Sequence, residues 1–188
     1  MNNCQRNTMT KNYLNRFNQI LDEMGSKMLS ANFGNNITIN FIKCMVPHHQ
    51  AAIYMCQNLL QYTNYLPLIK ISDGIIRMQT IGIDQMKEIE RTTTARYNNT
   101  PQDVNAYIQR YLEITKNMLQ KMGNSPRCLS INLDFVNEMI PHHEGAVCMC
   151  ENLLQYYIDP RLKEVANNII QEQTRGIHQL EEIRKAFR

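Results

Sequence analysis

The sequence predicts an all-α protein built from two fused three-helix repeats. Three observations carry this. Apolar residues recur every three or four positions along six segments, as they do on the buried face of a helix. No segment alternates apolar and polar residues long enough to make a strand. The chain also matches itself at an offset of 94 residues, half its length of 188.

The internal match runs from end to end. Tyr13, Arg16 and Ile20 fall on Tyr107, Arg110 and Ile114, and Met24, Met28 and Phe41 fall on Met118, Met122 and Phe135. Between 45–62 and 139–156, 12 of 18 positions are identical. Further on, Ile75, Ile76 and Gln79 fall on Ile169, Ile170 and Gln173. Two copies are too few for a solenoid but can pack about a pseudo-twofold axis, as a homodimer would. We expect one domain over 1–188, with repeats 1–94 and 95–188.

In the first repeat, Leu14, Phe17, Leu21, Met24 and Met28 mark a helix over 11–29, broken by the Asn- and Gly-bearing stretch 31–36. A second helix is expected over 38–62, and a third over 68–91 after Pro67. The second repeat gives helices over 104–121, 133–156 and 161–188, with a break at Gly123-Asn124-Ser125-Pro126. The second and third helices of each copy are expected to form a central four-helix bundle, with the first helices packed outside or extending it.

Composition narrows the function. Apolar residues make up 43 %, enough for a core, and the net charge of +3 is scattered rather than gathered into a basic run. Nucleic acid is therefore not an expected partner. No run of about 18 apolar residues is present, so no transmembrane segment is expected. The polar N-terminus lacks the apolar core of a signal peptide, which points to the cytoplasm, or to the periplasm or exterior if a signal has been removed. The six cysteines do not form a disulfide framework and are read as thiols.

The chemistry concentrates in two stretches. Met45-Val46-Pro47-His48-His49 leads to Ala52, Met55 and Cys56, and Met139-Ile140-Pro141-His142-His143 leads to Ala146, Met149 and Cys150. Four of the five histidines lie there. With His48 at zero on a helical wheel, Phe41, Ala52, Met55 and Leu59 fall within about 40°, Met45 at about 60°, Cys56 at about 80° and His49 at about 100°. Met45 lies three residues from His48 and four from His49, within reach of a shared ion. Thioether, imidazole and thiolate together favour Cu(I) or a similar soft ion, while zinc would use the histidines and cysteines. Pro47 and Pro141 interrupt the hydrogen-bond ladder beside the histidines, and a kink is expected there. Gln79 and Gln173 sit on the apolar face of the third helices and need a partner, such as a histidine ring N–H or a freed carbonyl.

Met-x-Pro-His-His-x-x-Ala-x-x-Met, followed by Ile-Ile-x-x-Gln-x-x-x-Ile-x-x-Met, resembles domain-of-unknown-function family 305, once per repeat. The resemblance implies a helical bundle of the ferritin-like group. It also implies soft-metal binding, as in periplasmic members that take Cu(I) and Ag(I) through methionine and histidine. The ligands it implies are Met45, His48, His49 and Met55, with Met139, His142, His143 and Met149. Cys56 and Cys150 lie outside that motif and are local additions. Met86 matches the later methionine of the family pattern, where the second repeat has Leu180, and joins Gln79 and Gln173 behind the ligands. Where the family has Glu in Gln-x-x-Glu-Ile, this chain has Gly82 and Gly176.

The expected function is non-enzymatic binding of a soft ion, most simply Cu(I) with Zn as the second candidate, for storage, delivery or resistance. The alternatives are a metal-dependent redox enzyme on a ferritin-like scaffold and a helical interaction module without metal. Against the enzyme, Glu-x-x-His occurs nowhere, and neither a phosphate loop nor a nucleophile elbow is present. Partner proteins and oligomeric state are left open.

Overall fold

A computed structural model of the chain describes residues 3–94, 98–128 and 130–187, with side chains from residue 8 onward. The described residues form six helices and no strand: α1 (Asn3–Leu29), α2 (Ile37–Leu60), α3 (Leu66–Thr92), α4 (Pro101–Gly123), α5 (Ile131–Leu153) and α6 (Pro160–Ala186). The helix ends lie within three residues of the sequence expectation, except that α1 starts at Asn3 rather than 11. Its first turns are polar, so apolar periodicity gave no signal for them. α4 starts at Pro101 because Thr100 and Asp103 form a capping box. The Thr100 hydroxyl accepts from the Asp103 N–H at 3.1 Å, and the Asp103 carboxylate accepts from the Thr100 N–H at 2.8 Å.

Within each repeat, short links return each helix along its predecessor. In the first repeat α2 packs on both α1 and α3, and in the second α5 packs on both α4 and α6. Across the repeats each helix meets its own copy: α1 on α4, α2 on α5, α3 on α6. The expected four-helix ring of α2, α3, α5 and α6 is present. The first helices extend it into a second ring of α1, α2, α4 and α5, so α2 and α5 belong to both.

That shared position suits their sequences. Helix α2 carries a single charged residue, Lys43, and is buried on most sides. Repeat-related polar ties hold the array. Asn58 in α2 donates to the Tyr13 carbonyl of α1 at 3.0 Å, and Asn152 in α5 donates to the Tyr107 carbonyl of α4 at 3.1 Å. The link before α2 is held by Asn40, which accepts from the Gly34 N–H at 2.8 Å, and Asp134 accepts from the Cys128 N–H at 2.6 Å in the same register. The five cysteines whose side chains are described (Cys44, Cys56, Cys128, Cys148 and Cys150) are free thiols. No helix among the described residues is long and apolar enough to cross a membrane.

The repeats differ where α1 and α4 reach across the axis. Glu138 of α5 is buried and accepts from the Tyr13 hydroxyl of α1 at 2.5 Å, and Arg127 pairs with it. Burial still pushes its carboxyl up to about 7, against the pull of both partners. The equivalent residue in α2 is Cys44, whose thiol burial pushes up to about 11. The Tyr107 hydroxyl, the counterpart of Tyr13, is buried without a partner. Tyr13→Phe should therefore cost about 1–3 kcal/mol in urea denaturation, by leaving one oxygen of a buried carboxyl without a partner, whereas Tyr107→Phe should be neutral or stabilising.

Candidate metal centre

Helices α2 and α5 meet at the axis, and the histidine stripes meet with them. All ten candidate ligands are at most 2 % exposed. Met86 and the two glutamines behind them are buried as well. The rings of His48 and His142 lie 3.7 Å apart between centroids, tilted by 31°. His49 lies 6.0 Å from His48, and His143 lies 5.9 Å from His142. Each repeat carries one histidine pair along its helix; the structure brings the inner member of each pair into contact with the other.

The tautomer of His142 follows from its one partner. Its Nε2 lies 3.2 Å from the His48 backbone oxygen. A carbonyl only accepts, so Nε2 carries the proton and donates, and Nδ1 is left as a bare lone pair. That Nδ1 is buried with no hydrogen-bond partner, as are Nδ1 of His48, His49 and His143. Burial, reinforced by repulsion between the rings, holds the cluster neutral. It lowers His49 to about 3 and His142 to about 4, and it keeps His48 and His143 well below the ordinary imidazole value.

The prolines fit beside this cluster without ending either helix. Pro141 has no N–H for the Asn137 carbonyl one turn back. The Ser125 hydroxyl fills that vacancy, donating to Asn137 at 2.9 Å.

The outer histidines are positioned by glycine. A Cβ at Gly82 would lie 3.0 Å from Cδ2 and Nε2 of His49, and one at Gly176 would lie 2.7 and 2.8 Å from the same atoms of His143. The missing side chains let α3 and α6 press their backbones against the imidazole edges. These two glycines are the residues that sequence reading undervalued. Their signal was present, as the departure from Gln-x-x-Glu-Ile in both repeats.

The glutamines depart from expectation. The side-chain oxygens of Gln79 and Gln173 are buried without a hydrogen-bond partner, so neither accepts from a histidine ring N–H. The ring edges of His49 and His143 turn instead to the glycines one turn further along. Both glutamines line two clefts between α3 and α6, of about 150 and about 240 Å³. His49 lines the first and His143 the second.

The cysteines stand apart. Cys56 lies against the Ser72 hydroxyl of α3, and burial pushes its thiol up to about 12. Burial also raises Cys150. Among the described residues, no three His, Cys, Asp or Glu side chains gather in a group able to hold a metal ion. Any ion at this centre would rest on imidazole and thioether rather than on a carboxylate cage or a thiolate set.

Two stability predictions follow from this packing. Gly176→Ala gains up to about 1 kcal/mol of helix propensity but overpacks His143 by about 1–3 kcal/mol. It should lower the urea midpoint more than Gly82→Ala, whose contact is looser. The imidazoles bind protons less tightly folded than unfolded. Their contribution is complete above about pH 6.5 and drains as pH falls toward the folded values. In the presence of chelator, stability should drop between about pH 7 and pH 4.5, and drop less in His142→Gln. Comparing the two proteins cancels the opposite contribution of Glu138, whose carboxyl is raised to about 7.

The family model described as domain of unknown function (DUF305) matches the chain twice, over residues 2–90 and 108–184. Each match spans one histidine stripe and the glycine-bearing helix packed against it. No curated protein and no solved structure matches the chain. The chain belongs to the DUF305 family and carries its domain as a tandem duplication.

Proposed function

We propose that the protein binds a soft metal ion, most simply Cu(I), where its two repeats meet, and that it holds or hands on this ion rather than turning over a substrate. One observation carries the reading: the Nδ1 atoms of the neutral His48 and His142 rings are buried and face no hydrogen-bond partner. An unpaired buried polar atom is costly, and an ion that accepts its lone pair removes the cost.

The donor set fits a soft ion better than a hard one. Zinc in a structural site takes four ligands from Cys, His and carboxylates, and the described residues offer no such group even of three. Iron and manganese in helical bundles take carboxylates, and Glu138, four residues before His142, is engaged by Tyr13 and Arg127. Cu(I) accepts imidazole and thioether at low coordination number. His48 and His142 would hold the ion, with Met45 and Met139 each less than one helical turn away. Met55, Met149, Cys56 and Cys150 lie about two turns along, about 10 Å or further at 1.5 Å per residue. They would serve the core.

The protein's own contribution is positioning. The His48 carbonyl fixes the proton of His142 on Nε2 and aims Nδ1 free, the orienting role that a backbone oxygen plays for metal-binding imidazoles. Burial keeps the rings neutral and ready to donate. When bound, Cu(I) would supply a positive charge that this buried site otherwise lacks.

The test is anaerobic titration with Cu(I) against a competing chelator, with Cys4, Cys128 and Cys148 changed to Ser so that these thiols do not compete for the ion. About one ion per chain should bind, and His48→Ala with His142→Ala should abolish it while far-UV circular dichroism stays helical. Met45→Leu with Met139→Leu, which preserves apolar volume, should weaken binding. Equal uptake by the parent and the histidine variant would sink the proposal and leave a helical interaction module.

A further inference from the structure

The central rings of His48 and His142 have no exposed surface, so an ion cannot reach them directly. The outer rings are different. His49 and His143 each line a cleft that opens on the α3–α6 face, and His48 and His142 line neither. The two clefts are related by the duplication and share a wall of Met78, Gln79, Glu172 and Gln173. In that wall the carboxamide oxygens of Gln79 and Gln173 are buried and unpartnered. A dehydrating cation needs such acceptors on its way from water to imidazole. At the floor of each cleft, glycine leaves the Cδ2–Nε2 edge of the outer histidine in direct contact with the helix backbone.

The two clefts are not electrically alike. The second is lined by Lys70, Arg77 and Arg175, and its one carboxylate, Glu172, is paired with Arg175. The first has no lysine or arginine in its lining; its titratable groups are His49 and Glu172. Where the second cleft has Arg77 and Arg175, the equivalent positions of the first are Gln171 and Ile81. Cations around a narrow mouth repel an approaching cation, and such fields alter association rates by about 10- to 1,000-fold at low salt.

We propose that the soft ion enters and leaves through the cleft that ends at His49, while the equivalent cleft at His143 is closed to cations by the lysine and arginines around it. This rests on the metal-binding reading above and adds a route and a direction to it. The sequence of contacts is Gln79 and Gln173 first, then His49, then His48 with His142. The duplication thus yields one working port and one barred port from the same backbone.

The test exchanges the two mouths residue for residue. Ile81→Arg places in the first cleft the side chain that the second carries as Arg175, and Arg175→Ile does the reverse. In the Cys4, Cys128 and Cys148 to Ser background, loading with the Cu(I)–acetonitrile cation is followed by stopped flow, and release by transfer to excess chelator. Ile81→Arg should slow loading and release together, by about tenfold at low salt, and leave the equilibrium affinity unchanged. The slowing should shrink as salt rises. Arg175→Ile should load at the parent rate or faster. Parent rates in Ile81→Arg, or equal slowing in both variants, would overturn the port while leaving the binding site intact. A parent protein that takes up no Cu(I) would overturn the metal-binding reading and the port with it.

Discussion

The contact on which this structure depends is the one between α2 and α5, where the rings of His48 and His142 lie 3.7 Å apart. These two helices belong to both four-helix rings, so whatever sits at their meeting point is surrounded by protein on every side. Placing four imidazoles there is unfavourable unless they stay neutral, and burial keeps them so. Neutral rings without partners leave lone pairs in a dry space. That unmet bonding makes the centre costly for a bare fold, and the ion we propose would relieve it.

The rest of the packing can be followed outward from that contact. The outer rings of His49 and His143 need space on the α3 and α6 sides, and Gly82 and Gly176 supply it by omitting a side chain. With the glycines in place, α3 and α6 come close enough to meet each other as well. Gln79 and Gln173, one turn before the glycines, are thereby carried into the seam between α3 and α6 rather than onto the histidines. On the opposite flank, Asn58 and Asn152 tie α2 to α1 and α5 to α4 at the same register.

Duplication gave two equal frames, and substitution has made them unequal. Glu138 with Tyr13 and Arg127 stands where the other half has Cys44 beside an unpartnered Tyr107. Ser125 satisfies the carbonyl freed by Pro141, while Ala31 holds the equivalent position in the first repeat. Arg175 faces the second cleft where Ile81 faces the first. Each difference lies beside the histidine cluster or on the way to it, and the inner rings themselves are unchanged. A homodimer could not hold such differences, because both copies of a residue would change together.

Much of this was legible in the sequence. Apolar spacing and the 94-residue offset determined six helices, their order and the central bundle formed by the second and third helix of each copy, because helical periodicity and internal repetition are local, countable properties. The same spacing marked the inward stripe of Met45, His48 and Met55 and its partner in α5. The start of α1 was not legible, since its first turns carry no apolar signal. Only the tertiary structure decided that His48 would face His142 across the repeats, because that contact depends on how α2 and α5 pack, not on anything along either helix. It also decided that Gln79 and Gln173 face a seam instead of a ring, and that two glycines serve as seats for imidazoles. These are relations between residues far apart in the chain, which one-dimensional spacing does not encode and close packing of helices does.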